Sequence, residues 1–193
     1  MVQSTGPKKI KCAVFISGTG SNLKSLIQFS NKKSSPISIE LIISDNSKAK
    51  GLKFGKIFKI SSKVFDFNNK SFSEKKIIYE IKHKDIKLIC LAGFMRILSK
   101  DFIKNFKGKI LNIHPSLLPK YKGLNTHQRV LSNNEKYSGC TVHFVNSRLD
   151  SGKIILQKKV KIIKNETPKS LAKKILMQEH KLYPKAIRKV FNL

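Results

Sequence analysis

The sequence predicts an α/β fold, a single domain over residues 1–193 with a doubly wound, mostly parallel sheet flanked by helices. Three features predict it. Near-continuous apolar runs at 10–17 (IKCAVFIS), 36–44 (PISIELIIS) and 86–93 (IKLICLAG) have the unalternating pattern of strands buried on both faces. Stretches with helical spacing of apolar residues separate them, beginning with Leu23, Leu26 and Ile27. A glycine-rich turn, Gly18-Thr19-Gly20-Ser21-Asn22, joins the first strand to the first helix, where free backbone N–H groups and a helix dipole suit a phosphate.

Composition bounds the function classes. A chain of 193 residues with 40% hydrophobic content can bury a core without metals or disulfides. Cys12, Cys90 and Cys140 are odd in number, widely spaced and set in apolar, strand-like contexts, which predicts buried reduced thiols. The opening MVQSTGPKK lacks an apolar signal-peptide core, and the longest apolar stretch, 88–95, is far short of a membrane span, so a soluble cytoplasmic protein is expected. Lys plus Arg number 40 against 11 Asp plus Glu, a formal net charge of +29. Such a charge attracts nucleic acid or anionic membranes non-specifically at low salt. The lysines are scattered along the whole chain without an aromatic-interleaved binding signature, so no specific nucleic acid and no membrane partner is expected.

Taken in order, the first turn is not a dinucleotide fingerprint, since Leu23 stands where a third Gly is wanted, and Ser-Asn after Gly20 is not a P-loop. A monophosphate fits it better; ordinary turn and cap duty is the alternative. After the strand at 36–44, residues 48–55 read as a short helix ended by Gly55, and KIFKI (56–60) with the region to Phe67 as a third strand and loop. Ser71 or Ser73 caps a helix through Lys84 that buries Ile77, Ile78 and Ile81. The 86–93 run, the most apolar, marks the sheet centre, and residues 99–106 form a short helix. Thr126 or Asn125 caps a helix to about Asn133, CTVHFV (140–145) is a half-exposed strand, and 146–152 is a turn holding Asp150. Residues 153–163 supply one or two antiparallel edge strands. Thr167 and Pro168 start a long last helix that Pro184 breaks or kinks at Tyr183.

The chemistry concentrates in 109–129, KILNIHPSLLPKYKGLNTHQR. A short strand delivers Asn112 and His114 into a loop stiffened by Pro115 and Pro119. An Asn amide can hydrogen-bond a developing oxyanion, and an imidazole two residues on can trade a proton near neutral pH, which together suit acyl-type chemistry. Asp150 is the only carboxylate between Glu135 and Glu166 in an acid-poor chain. A loop histidine, a turn asparagine and a structural turn aspartate are the bland alternatives.

NIHPSLLPKYKG resembles the signature of the phosphoribosylglycinamide formyltransferases, and SGTGSNL, LAGFMRIL and LDSGKIILQ match the same family in the same order. The resemblance covers residues 10–187. It implies transfer of a formyl group from 10-formyltetrahydrofolate, as co-substrate and without a metal, to the amine of 5-phosphoribosylglycinamide in purine biosynthesis, by a monomer or homodimer. It implies catalytic roles for Asn112, His114 and Asp150, with Asp150 raising the pKa of His114 so that the imidazolium donates a proton. It further implies that Gly20, Ser21, Asn22 and Glu179 meet the ribonucleotide. Lys70, Met95, Arg96, Ile97 and Leu98, with Asn112 and Asp150, would meet the folate. Lys70 departs from the family's Arg, which keeps the charge and loses the bidentate fork. From spacing alone Glu179 is a helix-surface residue and Met95, Ile97 and Leu98 are core. The rival readings are formyltetrahydrofolate deformylase, with water as acceptor, methionyl-tRNA formyltransferase, and a basic nucleic-acid-binding module.

Overall fold

The computed structural model describes residues 9–192, so the expectation for the opening segment falls on residues 1–8, outside the described residues. In chain order the elements are β1 (Ile10–Ile16), α1 (Ser21–Ser30), β2 (Ile37–Ser44), α2 (Lys53–Phe58), β3 (Ser61–Val64), α3 (Lys70–His83) and β4 (Leu88–Leu91). There follow α4 (Lys100–Asn105), β5 (Lys109–His114), α5 (Thr126–Ser132), β6 (Tyr137–Phe144), β7 (Ile154–Lys161) and α6 (Pro168–Val190). Among the described residues the strands form one seven-stranded sheet in the order β3-β2-β1-β4-β5-β6-β7. Pairing is parallel from β3 through β5 and antiparallel at β5–β6 and β6–β7. The α/β expectation therefore holds, and β4 stands at the centre as its apolarity predicts.

The unalternating apolar runs have a direct reason. Cys12, Val14 and Ile16 of β1 enter one core cluster with Leu23, Leu26 and Ile27 of α1 and Leu171, Ile175 and Tyr183 of α6. Ala13 and Phe15 enter a second cluster with Ile77 and Ile81 of α3 and Phe102 of α4. Alternate side chains of one strand thus feed the two faces of the sheet, so neither face can be polar.

Several local readings are corrected. KIFKI is not a strand: its first three residues finish α2, a one-turn 3-10 helix at Lys50–Leu52 precedes that helix, and Lys59 ends it at φ 55°. Its β-branched and aromatic residues imitate a strand, while tertiary contact decides otherwise. The cap of α3 is Asn69, whose side chain accepts from the N–H of Phe72, rather than Ser71 or Ser73. Asn125 precedes α5 in a left-handed conformation without a side-chain cap bond. The strand at CTVHFV is buried rather than half-exposed. Its Thr141 hydroxyl donates to the carbonyl of Ser116 at 2.6 Å, so polarity there is satisfied inside the protein. The edge after it is a single strand, β7.

Pro184 does not break α6, which is continuous from Pro168 to Val190. Proline removes the N–H that would bond the carbonyl four residues earlier, that of His180. Ser25 of α1 donates its hydroxyl to that carbonyl at 3.2 Å. A second anchor is Tyr183, fully buried, whose hydroxyl is shared between the carbonyls of Leu91 and Leu111 at 3.1 and 3.0 Å. Among the described residues no helix is long and apolar enough to cross a membrane. All three cysteines are free and buried, as expected.

Candidate active site

A cleft of about 660 Å³ opens beyond the carboxyl ends of β4 and β5, where an open α/β sheet receives its ligands. Asn112 and His114 of β5 lie two residues apart and so share one face of the strand. The antiparallel register sets His143 of β6 directly opposite Asn112. Asp150 reaches the same point from the turn after β6, in a left-handed conformation at φ 45°.

These four side chains form one network. The Asn112 amide nitrogen lies 3.2 Å from Nε2 of His143 and donates to Oδ1 of Asp150 at 3.4 Å. Oδ2 of Asp150 lies 3.3 Å from Nδ1 of His114 and accepts from the N–H of Gly123 at 2.9 Å. Nε2 of His114 lies 2.8 Å from the carbonyl oxygen of Tyr121 and donates to it. Nδ1 of His143 likewise donates to the carbonyl oxygen of Phe144 at 2.8 Å, which leaves its Nε2 to accept from Asn112. Gly152 holds the Asp150 turn against β6, since a Cβ there would fall 1.6 Å from the carbonyl oxygen of Phe144.

The ionisation of the pair differs from the sequence expectation. Burial pushes the His114 imidazole below its ordinary 6.5, and the Tyr121 carbonyl and Asp150 only partly offset it. The expected rise is corrected to a fall, because the side chain is only 7% exposed and desolvation outweighs the facing carboxylate. For Asp150, burial raises the carboxyl. The His143 contact, the Gly123 N–H and the charges of both imidazoles outweigh it and hold the carboxyl below its ordinary value. At neutral pH the pair is therefore a neutral imidazole beside a carboxylate.

The opposite wall carries Asn22 and Glu179. The Asn22 amide donates to Oε2 of Glu179 at 2.7 Å, joining the start of α1 to the middle of α6. Glu179 is buried, not the surface residue its spacing suggests, and burial raises its carboxyl pKa against the opposing Asn22 hydrogen bond. Oδ1 of Asn22 is buried without a partner among the described residues. Gly20 takes φ 75° just before α1, and a Cβ on it would meet the Cα of Gly51 at 2.6 Å, so the turn needs glycine twice over. Gly20 precedes a helix with no side-chain cap bond and no acidic residue in its first turn. Its leading amides and those of Ser21 and Asn22 stand at the positive end of the helix.

Met95, Arg96, Ile97 and Leu98 all line the cleft, and only Leu98 is core, since Met95 and Ile97 are about 60% exposed (62% and 59%). Arg96 is tethered by a bond from Nε to Asp45 Oδ2 at 2.7 Å. Lys70 is not brought to the cleft: it lines a separate cavity between α3 and α4. Sequence reasoning missed His143, whose role in the network depends on the β5–β6 register, and His127, which lines the cleft with Nδ1 buried and unpartnered among the described residues. The T-H pair after the proline loop was the available signal for His127. Among the described residues no group of three or more His, Cys, Asp or Glu side chains is placed to hold a metal ion.

The chain resembles known proteins in both sequence and fold. The formyl transferase family profile matches residues 10–187. The chain is 41% identical over 181 residues to the phosphoribosylglycinamide formyltransferase of Haemophilus influenzae, covering 92% of this chain and 85% of that protein. It is 40% identical over 190 residues to the trifunctional purine biosynthetic protein adenosine-3 of Bos taurus, and this match covers 97% of the chain but only 19% of that longer protein. The phosphoribosylglycinamide formyltransferase structure from Brucella melitensis superposes with a TM-score of 0.89 at 40% identity, covering 95% of this chain and 96% of that one. With the profile spanning nearly all the described residues and the likeness holding in both sequence and fold, the chain belongs to the formyl transferase family, among its phosphoribosylglycinamide formyltransferases.

Proposed function

We propose that the protein transfers the formyl group of 10-formyltetrahydrofolate to the amine of 5-phosphoribosylglycinamide. The observation that carries the reading is the Asn112–His143–Asp150–His114 network, set across the cleft from the Asn22–Glu179 pair. One side offers groups for a carbonyl in reaction, the other a glycine turn and a buried carboxyl for a phosphate-bearing ribosyl substrate. The folate lies along Met95–Leu98, with Arg96 at its rim and Lys70 beyond it.

The reaction joins an amine nitrogen to the formyl carbon, breaks the bond from that carbon to N10, and moves one proton from the amine to N10. Asn112 turns the N–H of its long 3.4 Å contact with Asp150 to the oxygen that gains charge in the tetrahedral intermediate. His114, neutral at the outset, takes the proton from the attacking nitrogen and delivers it to N10. Asp150 stabilises the imidazolium while it exists. His143 orients Asn112, and its Nε2 lies 3.6 Å from Oδ1 of Asp150. A lowered His114 pKa suits this shuttle better than a permanently protonated donor, because the ring must first accept. Juxtaposing two bound substrates supplies a further part of the acceleration, of order several kcal/mol.

Small-molecule substrates, a cytoplasmic setting, and a monomer or homodimer without a specific nucleic-acid partner complete the reading. The test mixes purified protein with 10-formyltetrahydrofolate, with and without the ribonucleotide, and follows tetrahydrofolate release and formylated product by mass. Product formed only with the ribonucleotide is expected. Folate release without it would make water the acceptor and overturn the reading.

A further inference from the structure

The carbonyl that faces Nε2 of His114 at 2.8 Å belongs to Tyr121, whose backbone is unusual. Tyr121 takes φ 56°, and among the described residues it is the only aromatic one in the left-handed region, the others being Asn, Asp, Lys and Gly. A bulky side chain is disfavoured in that conformation and persists there only where its surroundings hold it. An asparagine would fit the turn more easily. The tyrosine therefore stands there for what its side chain does.

The hold comes from the far end of α5. The Tyr121 hydroxyl donates to Oε1 of Glu135 at 2.9 Å and accepts from the Asn133 amide at 3.0 Å. Lys120 donates to the same Oε1 at 2.9 Å, and the Arg129 guanidinium lies 5.5 Å from the Tyr121 ring centroid. Lys120 and the Tyr121 hydroxyl hold the Glu135 carboxyl below its ordinary value, so this acceptor stays ionised at neutral pH. The carbonyls on either side of residue 121 have other duties. That of Lys120 accepts from the Ser116 hydroxyl at 2.7 Å, and that of Lys122 from Nη1 of Arg129 at 2.7 Å. The carbonyl between them is turned to the imidazole.

We propose that Tyr121 is a positioning residue for His114, and that Glu135 and Asn133, by gripping its hydroxyl, keep its carbonyl where it fixes the imidazole proton on Nε2. The consequence is chemical. Asp150 faces Nδ1 at 3.3 Å, and a carboxylate is a stronger acceptor than an amide carbonyl. Without the carbonyl, the single proton of the neutral ring moves to Nδ1, and the nitrogen that has to accept a proton is no longer free. The charged and titratable groups around the ring are Asp150, His143, His127 and Arg129. None of them bonds the Tyr121 hydroxyl, so the grip is open to alteration without touching them. The effect on turnover rests on the proposed formyl transfer; the effect on the tautomer does not.

The experiment reads the ring directly, by heteronuclear NMR of the His114 nitrogens in the free protein, for the wild type and for Tyr121→Phe, Glu135→Ala and Glu135→Gln. The wild type shows the Nε2–H tautomer at neutral pH. Tyr121→Phe keeps the ring and its Arg129 contact, and Glu135→Ala removes the acceptor. Both move the population toward Nδ1–H and lower the pH midpoint of the ring, because the carbonyl raises it. Glu135→Gln removes the charge but keeps an oxygen for the hydroxyl, and it restores the wild-type tautomer. In turnover, Tyr121→Phe lowers kcat by roughly tenfold with both KM values nearly unchanged, inside the ~10²-fold range for a reacting group displaced by about 1 Å. A wild-type tautomer and pH midpoint in Tyr121→Phe and Glu135→Ala overturn the proposal, as does a fall in kcat accounted for by unfolded protein alone. A wild type that forms no product refutes the formyl-transfer reading instead, and the tautomer then decides the role of Tyr121 by itself.

Discussion

Oδ2 of Asp150 sits 3.3 Å from Nδ1 of His114, with both side chains 7% exposed, while the other ring nitrogen of His114 faces the Tyr121 carbonyl. A neutral imidazole between two acceptors has one proton for two sites. With the proton on Nε2 toward the carbonyl, the Nδ1 lone pair faces the carboxylate, and a second proton relieves it. The ring is thus kept neutral by burial and ready to accept by geometry. Asp150→Asn retains the shape and removes the charge, so turnover falls by about 10²- to 10⁴-fold, the span of a lost proton-transfer partner. Because Asp150 raises the His114 pKa, its loss also moves the acid limb of kcat/KM to lower pH. A pH–rate profile checks both, and an unmoved acid limb would detach Asp150 from His114.

Glu179 offers a different separation. In Glu179→Gln the amide oxygen still accepts from Asn22, so the α1–α6 contact persists and the thermal midpoint stays near that of the wild type. The expected change is a higher KM for the ribonucleotide with an unaltered KM for the folate. Glu179→Ala instead strands a buried amide that already has one unpartnered oxygen, at a cost of about 1–3 kcal/mol. Calorimetry distinguishes the two variants.

The sheet was legible in the sequence because a strand feeding two cores cannot alternate, and β1 sends Cys12, Val14 and Ile16 to one side and Ala13 and Phe15 to the other. Asn112 and His114 were legible because their spacing of two sets them on one face whatever the strand pairs with. His143 was hidden for the complementary reason: nothing local states that β6 runs antiparallel to β5 in the register that opposes Asn112. The buried polarity of β6 misled in the same way. Thr141 accepts from the N–H of Leu118 and the amide of Gln157 and donates to Ser116, partners supplied by the proline loop and β7. Glu179 read as a surface residue because its one compensating donor, Asn22, is 157 positions away.

Acid lability follows from the histidines. Burial lowers His114, His127 and His180 below the ordinary 6.5. As pH falls through about 6.5 the unfolded chain takes up protons that the folded chain refuses, so stability rises with pH in that window and is lost on acidification. Asp150, lowered in the fold, adds a second loss as pH drops below its unfolded value of 3.8. Glu179, raised in the fold, works in the opposite direction and offsets part of it. The thermal midpoint at pH 5 is therefore lower than at pH 7.5. A midpoint that is flat or rises on acidification between these values would contradict the balance.

Ser25 and Pro184 make the sharpest stability prediction. Proline at 184 frees the carbonyl of His180, and the Ser25 hydroxyl occupies it, one residue from Glu179 and one helical turn from Asn22. Ser25→Ala therefore costs about 1 kcal/mol in the wild type, the net worth of one hydrogen bond. In a Pro184→Ala background residue 184 regains an N–H that takes the same carbonyl within α6, so the same Ser25→Ala change costs much less. The two substitutions are coupled although neither side chain replaces the other, and a double-mutant cycle by denaturant unfolding measures the coupling as the difference between the two Ser25→Ala values. Ser25→Thr keeps the hydroxyl and restores most of the loss. If Ser25→Ala costs the same with and without Pro184, the hydroxyl is not compensating for the missing N–H, and α6 tolerates the proline for some other reason.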